Sequence, residues 1–192
     1  MKIIRLISLL VPSILLAYSL ASISTASATK PFFLFGDSFL DAGSNNYINT
    51  STVAQANFYP YGITFFHYPT GRCSDGRLAC DFIAENANLP FIPPFLQPGE
   101  PQFFDGSNFA SGGAGALVKT FQGLVRVQVI DLPMQLRNYK KVEKWLTCKL
   151  GEMGAKKRLR RAVFMFSVGT NDCVTLFLTN NTLSATYTIS IC

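Results

Sequence analysis

The chain has 192 residues, 48% of them hydrophobic, with 17 Lys and Arg, 11 Asp and Glu and one histidine, for a formal charge of +6 at pH 7. That length and apolar content suffice for one sizeable core and argue against several domains. A single histidine and five cysteines without a Cys-x-x-Cys pair lack the spacing of a protein metal site, and no cofactor motif is present.

Lys2 and Arg5 precede an apolar run, residues 6–20, interrupted only by Ser8, Pro12, Ser13 and Ser19, and Ala26-Ser27-Ala28 follows. This is the order of a secretory signal peptide covering residues 1–28, with cleavage after Ala28. A retained membrane anchor is the alternative, but the run is short for a span and Pro12 breaks it. Without the signal, 15 basic side chains face 11 acidic ones, or +4. The expected product, residues 29–192, is secreted to the extracellular space or cell wall, with no stable transmembrane anchor. An oxidising compartment permits disulfides among Cys73, Cys80, Cys148, Cys173 and Cys192; Cys73 and Cys80 are nearest in sequence, and an odd number leaves at least one thiol unpaired within the chain.

Residues 31–35 (PFFLF) are short, aromatic and uncharged, the pattern of a strand buried on both faces of a parallel sheet. Gly36 permits a sharp exit, which leaves Ser38 just past the strand end as candidate nucleophile, between Asp37 and Asp41. Asn49-Thr50-Ser51 is a glycosylation sequon, meaningful if the chain is secreted. Residues 59–77 mix Pro60, Gly62, Pro69, Gly71 and Gly76 with aromatics, as an irregular surface segment does. A helix is expected over 78–87, with Leu78, Phe82, Ile83 and Ala87 on its apolar face and Asp81 and Glu85 elsewhere on the wheel. Five prolines between 90 and 101 rule out regular helix and disfavour a central strand, so this stretch reads as a surface crossover.

Residues 106–115 (GSNFASGGAG) form a glycine-bearing loop. Residues 132–150 give the clearest helix, with Leu132, Leu136, Tyr139, Val142, Leu146 and Leu150 at intervals of three or four and Gly151 as its stop. The basic run 156–161 fits a solvated helix end better than a patch for acidic polysaccharide, membrane or nucleic acid, since no aromatic interleaves the charges. Residues 162–168 (AVFMFSV) read as a second buried strand, ending at Gly169 before Asn171 and Asp172. A second sequon begins at Asn180. Two apolar strands that each deliver polar residues beyond their carboxyl ends, with helices between, describe an open α/β sheet whose site gathers on that rim, with Ser38 and Asn171 side by side.

Three segments carry a resemblance: Phe35-Gly36-Asp37-Ser38-Phe39-Leu40-Asp41-Ala42-Gly43-Ser44-Asn45-Asn46, the 106–115 loop, and Gly169-Thr170-Asn171-Asp172. In order, they resemble the first three blocks of the GDSL esterase/lipase family of SGNH hydrolases, the first of them its plant secreted branch. Thr70-Gly71-Arg72-Cys73-Ser74-Asp75-Gly76-Arg77 also resembles that branch, with Cys73 where an aromatic is usual. The resemblance implies a three-layer, flavodoxin-like sheet and hydrolysis of carboxylic esters of lipids or acylated saccharides through an acyl-serine. It implies Ser38 as nucleophile. Its oxyanion donors would be the Ser38 amide, the Asn171 side chain and a second-block glycine, Gly113 first, with Gly112 and Gly115 as alternatives. Asn171 and Asp172 could instead cap the helix that follows.

In this family an Asp-x-x-His segment beyond the third block supplies base and orienting carboxylate, and the sequence contains no such motif. His67, among Phe65, Phe66, Tyr68 and Pro69, reads as a surface residue. Asp37 and Asp41 are too weakly basic at neutral pH to activate a hydroxyl. The expectation is therefore the N-terminal part of a hydrolase, nearly inactive alone and with a sheet that exposes an edge. A secreted binding protein or decoy of the same family is the alternative, and an uncleaved cell-surface protein a third.

Overall fold

The computed structural model describes residues 29–120 and 128–178; the signal segment, Asn180 and Cys192 lie outside them. The elements are β1 (Phe32–Gly36), a 3-10 turn (Ser44–Tyr47), α1 (Thr52–Gln55), α2 (Ala79–Asn86), β2 (Gly106–Asn108), α3 (Leu132–Leu159), β3 (Val163–Ser167) and α4 (Thr170–Leu178). The three strands form one parallel sheet in the order β2-β1-β3, with Phe32 opposite Gly106 on one side and Val163 on the other.

All of β1 is buried, and its alternation divides the core. Phe32 and Leu34 join Leu40, Leu78, Cys80, Ala84, Leu89, Ile92 and Ala110 on the α2 face. Phe33 and Phe35 join Phe109, Val142, Leu146 and Ala155 on the α3 face, where Phe95, Phe103, Tyr139 and Trp145 pack around them. Helices on both faces of a parallel sheet make the three-layer α/β arrangement expected of 31–35. Burial of each large apolar side chain contributes roughly 1.5–3 kcal/mol. The proline-rich stretch runs beside β2, with Phe95 N–H donating to the Asn108 carbonyl at 2.8 Å and Asn108 N–H to the Pro93 carbonyl at 3.0 Å.

Three expectations are corrected. On α2, Phe82 and Ile83 are more than two-fifths exposed, and Asp81 is buried instead. Its carboxylate meets the Arg72 guanidinium in a two-bond pair, at 2.8 and 2.9 Å, and accepts the Leu78 N–H at 2.8 Å. Charge pairing thus outweighs the hydropathy of the wheel. On α3, Leu136 is half exposed while Gln135 and Asn138 are buried, and the helix runs past Gly151 to Leu159. Gly151 interrupts it as a kink at φ 71 rather than ending it, a backbone conformation that glycine adopts freely. Strand β3 is not buried: Val163, Phe164 and Phe166 are 45%, 41% and 62% exposed, and among the described residues no strand pairs with its outer edge.

The basic run closes α3, where its charge complements the helix C-terminus. Arg158 there donates to the Phe104 carbonyl. Among the described residues, no helix is long and apolar enough to cross a membrane.

Candidate active site

Each strand of a parallel sheet delivers its chain to the same rim, so the order β2-β1-β3 brings three sequence blocks together around the end of β1. Gly36, at φ 132, closes the strand where an added Cβ would collide with the Ser167 carbonyl of β3. The Gln135 side chain, buried on α3, takes both backbone groups of Gly36: its Oε1 accepts the N–H and its Nε2 donates to the carbonyl, each at 2.9 Å. The next residues turn back on themselves, with Leu40 and Asp41 N–H groups donating to the Asp37 carbonyl. Ser38 stands on the outside of this turn, half-buried.

Two buried polar side chains tie the first block to the second. Asp41 accepts from Gly43 and Ser44 N–H through Oδ1 and from Gly112 N–H, at 2.8 Å, through Oδ2. Asn45, fully buried, donates to the carbonyls of Ala54 and Gly112, both at 2.9 Å, and accepts the Ser111 hydroxyl. Neither role was singled out from the sequence, although both residues stand in the first block. Their neighbours in space lie about seventy positions away in sequence, which no local pattern records.

A cavity of about 250 Å³ opens on the rim, lined by Ser38, Asp41, Gly112, Gly113 and Asn171 together with Ser51, Val53, Ala54, Ala56, Gly71 and Cys73. Ser38, Gly113 and Asn171, read separately from three blocks, therefore share one wall-bounded space. The apolar wall from 53–56 and 71–73 was not foreseen as part of the site; its signal, a run of small and apolar residues, is shared with any packed loop. Among the described residues no acceptor takes the N–H of Ser38 or of Gly113, whereas Gly112 N–H is committed to Asp41. Gly115 lies outside the cavity lining, against Thr120 and Asp172. The Asn171 Nδ2 donates one hydrogen to the Ala114 carbonyl at 2.8 Å and has a second to offer.

Burial raises the Asp41 carboxyl above its ordinary value despite the backbone donors that oppose it. Asp37 is raised too, by burial first and by nearby Asp172 last, with its Phe39 amide bond opposing. His67 is exposed and does not line the cavity. Cys73, Cys80, Cys148 and Cys173 are all free thiols. Cys80 is buried and its thiol is pushed up to about 12 by that burial, while Cys73 sits on the cavity wall with its sulfur 3.8 Å from the Tyr61 hydroxyl. Among the described residues no group of His, Cys, Asp and Glu could hold a metal ion.

An α/β sheet with a serine on the rim of its central strand, uncommitted amides beside it and an apolar cavity in front defines a candidate serine-hydrolase site. Residues 32–188 match the family model described as GDSL-like Lipase/Acylhydrolase, and the chain belongs to that family. It is 62% identical over 152 residues to GDSL esterase/lipase 5 of Arabidopsis thaliana, covering 79% of this chain and 38% of that protein. It is 57% identical over 153 residues to GDSL esterase/lipase 1 of the same plant, covering 79% and 40%. Against the GDSL lipase of Tanacetum cinerariifolium it is 47% identical over 140 residues, covering 73% and 37%. The chain thus spans about two-fifths of the length of these curated relatives. No solved structure matches it.

Proposed function

We propose that the chain carries the nucleophile and oxyanion donors of a serine esterase acting on carboxylic esters of lipids or acylated saccharides. The observation that carries this reading is the placing of Ser38 and two unused N–H groups, its own and that of Gly113, on one apolar cavity. The Ser38 hydroxyl oxygen attacks the ester carbonyl, its proton passes to a base, and the carbonyl oxygen gains the negative charge of the tetrahedral intermediate. Ser38 N–H, Gly113 N–H and the free Asn171 amide hydrogen receive that charge. Collapse expels the alcohol, which takes up the proton, and water later releases the acid from the acyl-serine.

A cavity of 150 Å³ holds one benzene molecule, so about 250 Å³ suits a short acyl group. Val53, Ala54 and Ala56 would receive it.

The base is the missing partner. The one histidine is exposed away from the cavity, and among the described residues neither the Asp37 nor the Asp41 carboxylate accepts a bond from the Ser38 hydroxyl. These 192 residues alone therefore hydrolyse esters very slowly. The second reading is a binding protein of the same family, which holds an ester in this apolar cavity without turning it over.

With imidazole added, Ser38 labelling by a fluorophosphonate, lost in Ser38→Ala, together with turnover of p-nitrophenyl butyrate that rises with imidazole only when Ser38 is present, is the expected result. No labelling and no imidazole effect would leave only the binding protein. We also read the chain as secreted and glycosylated at exposed Asn49; a plant-expressed product whose mass is unchanged by Asn49→Gln would refute the glycan.

A further inference from the structure

We propose that Asp172 is a positioning residue that holds the second-block loop at the register where Gly113 faces Ser38. This rests on the esterase reading above, but its geometry stands apart from it. The Asp172 carboxylate, in the first turn of α4, accepts Ala116 N–H at 2.8 Å through Oδ2, and Leu117 N–H at 2.9 Å together with the Thr120 hydroxyl through Oδ1. None of these bonds returns to its own helix, so capping is not its use here. Thr120 is itself buried, and the would-be Cβ of Gly115 falls on both Thr120 and Asp172, so the backbone lies flush against the carboxylate.

The residue next to it, Asn171, holds the Ala114 carbonyl. On the other side of Gly113, Asp41 holds the Gly112 N–H, and Ala114 N–H donates to the Ser111 carbonyl. Gly113 is therefore spanned by anchors, and at φ 91 its own backbone resists little. Without the carboxylate, the ties left on the 114–120 side among the described residues both fall at Ala114: the Asn171 bond to its carbonyl and its own N–H bond to Ser111. Asp172 does not line the cavity, so whatever it does to the reaction must pass through this loop. Bonds from amides to an ionised carboxylate are roughly twice as strong as neutral ones. An asparagine keeps the shape but turns one acceptor into a donor that faces a backbone N–H.

The test compares the full chain with Asp172→Asn in three measurements. Amide hydrogen exchange in residues 112–117 should quicken at least about tenfold while β1 and α3 stay unchanged. Fluorophosphonate labelling of Ser38 with imidazole added, which needs the oxyanion donors, should slow by about ten- to a hundredfold, less than or equal to the loss of one such donor, which costs on the order of a hundred- to a thousandfold. Binding of the uncharged probe 1-butanol, followed by NMR titration and dependent on the 53–56 wall, should not move. Unchanged loop exchange, exchange that rises throughout the sheet, or butanol binding weakened in step with labelling would each overturn the proposal. If the parent chain does not label even with imidazole added, the esterase reading has failed, and the exchange pattern alone decides whether Asp172 fixes the loop.

Discussion

Replacing Gln135 by leucine tests how the turn that carries Ser38 is held. The carboxamide makes three buried bonds: Gly36 N–H to Oε1 at 2.9 Å, and Nε2 to the carbonyls of Gly36 at 2.9 Å and Ile130 at 2.8 Å. The Gly36 carbonyl keeps a second donor, Ser111 N–H at 3.0 Å, so leucine orphans two groups rather than three. Each buried orphan costs roughly 1–3 kcal/mol. The added apolar contact of a buried leucine offsets part of that, which leaves a net loss of about 2–4 kcal/mol. Urea denaturation followed by circular dichroism reads it as a lower midpoint at constant slope. Gln135→Glu adds a sign: an ionised carboxylate faces two carbonyls, whereas a protonated one can donate to one of them, so this variant should be relatively more stable at pH 4 than at pH 7. A loss below about 1 kcal/mol for Gln135→Leu, together with a pH-independent Gln135→Glu, would refute the idea that this side chain secures the strand end.

Arg72→Met should cost about 3–5 kcal/mol, because it strands a buried Asp81 carboxylate, and the Arg72→Met, Asp81→Asn pair should cost less than the two single losses added. Additive losses in a double-mutant cycle would deny the coupling. Raised carboxyls at Asp37 and Asp41 mean that the folded chain holds more protons than the unfolded one above the ordinary value of 3.8. Their contribution is full below that pH and is lost as the pH climbs through the raised values, so the urea midpoint should fall over that interval, and Asp37→Asn should flatten the fall. A midpoint that rises there would reverse the assignment.

The parts of this molecule that announce themselves in sequence are those with local causes. Residues 31–35 declare a two-faced strand because every side chain is apolar, and Gly36 declares its end. Ser38 and Asn171 could be read onto one rim because strands of common direction share their carboxyl ends, whereas Gly113 joined them only through the family resemblance. Strand β2 was illegible: Gly106-Ser107-Asn108 has no apolar period, and it joins the sheet by backbone bonds to β1. The faces of α2 and α3 were misread at Asp81 and Gln135 for the opposite reason. Both are polar residues drawn inward by partners distant in sequence, an Arg72 fork in one case and a bare glycine backbone in the other. The exposure of β3 follows from which strands stand beside it, a matter of topology that its own seven apolar-rich letters do not encode.

The cavity lining divides by segment: Ser38, Gly113 and Asn171 stand on the rim, while Val53, Ala54, Ala56 and Cys73 supply the wall. The side chains of Val53, Ala54 and Ala56 make no hydrogen bond to the rim, whereas Arg72, between Gly71 and Cys73, donates to the Ala42 carbonyl and pairs with Asp81. On the esterase reading proposed above, a saturation library at Val53, Ala56 and Cys73 would therefore vary acyl preference while Ser38, Gly113 and Asn171 stay unchanged.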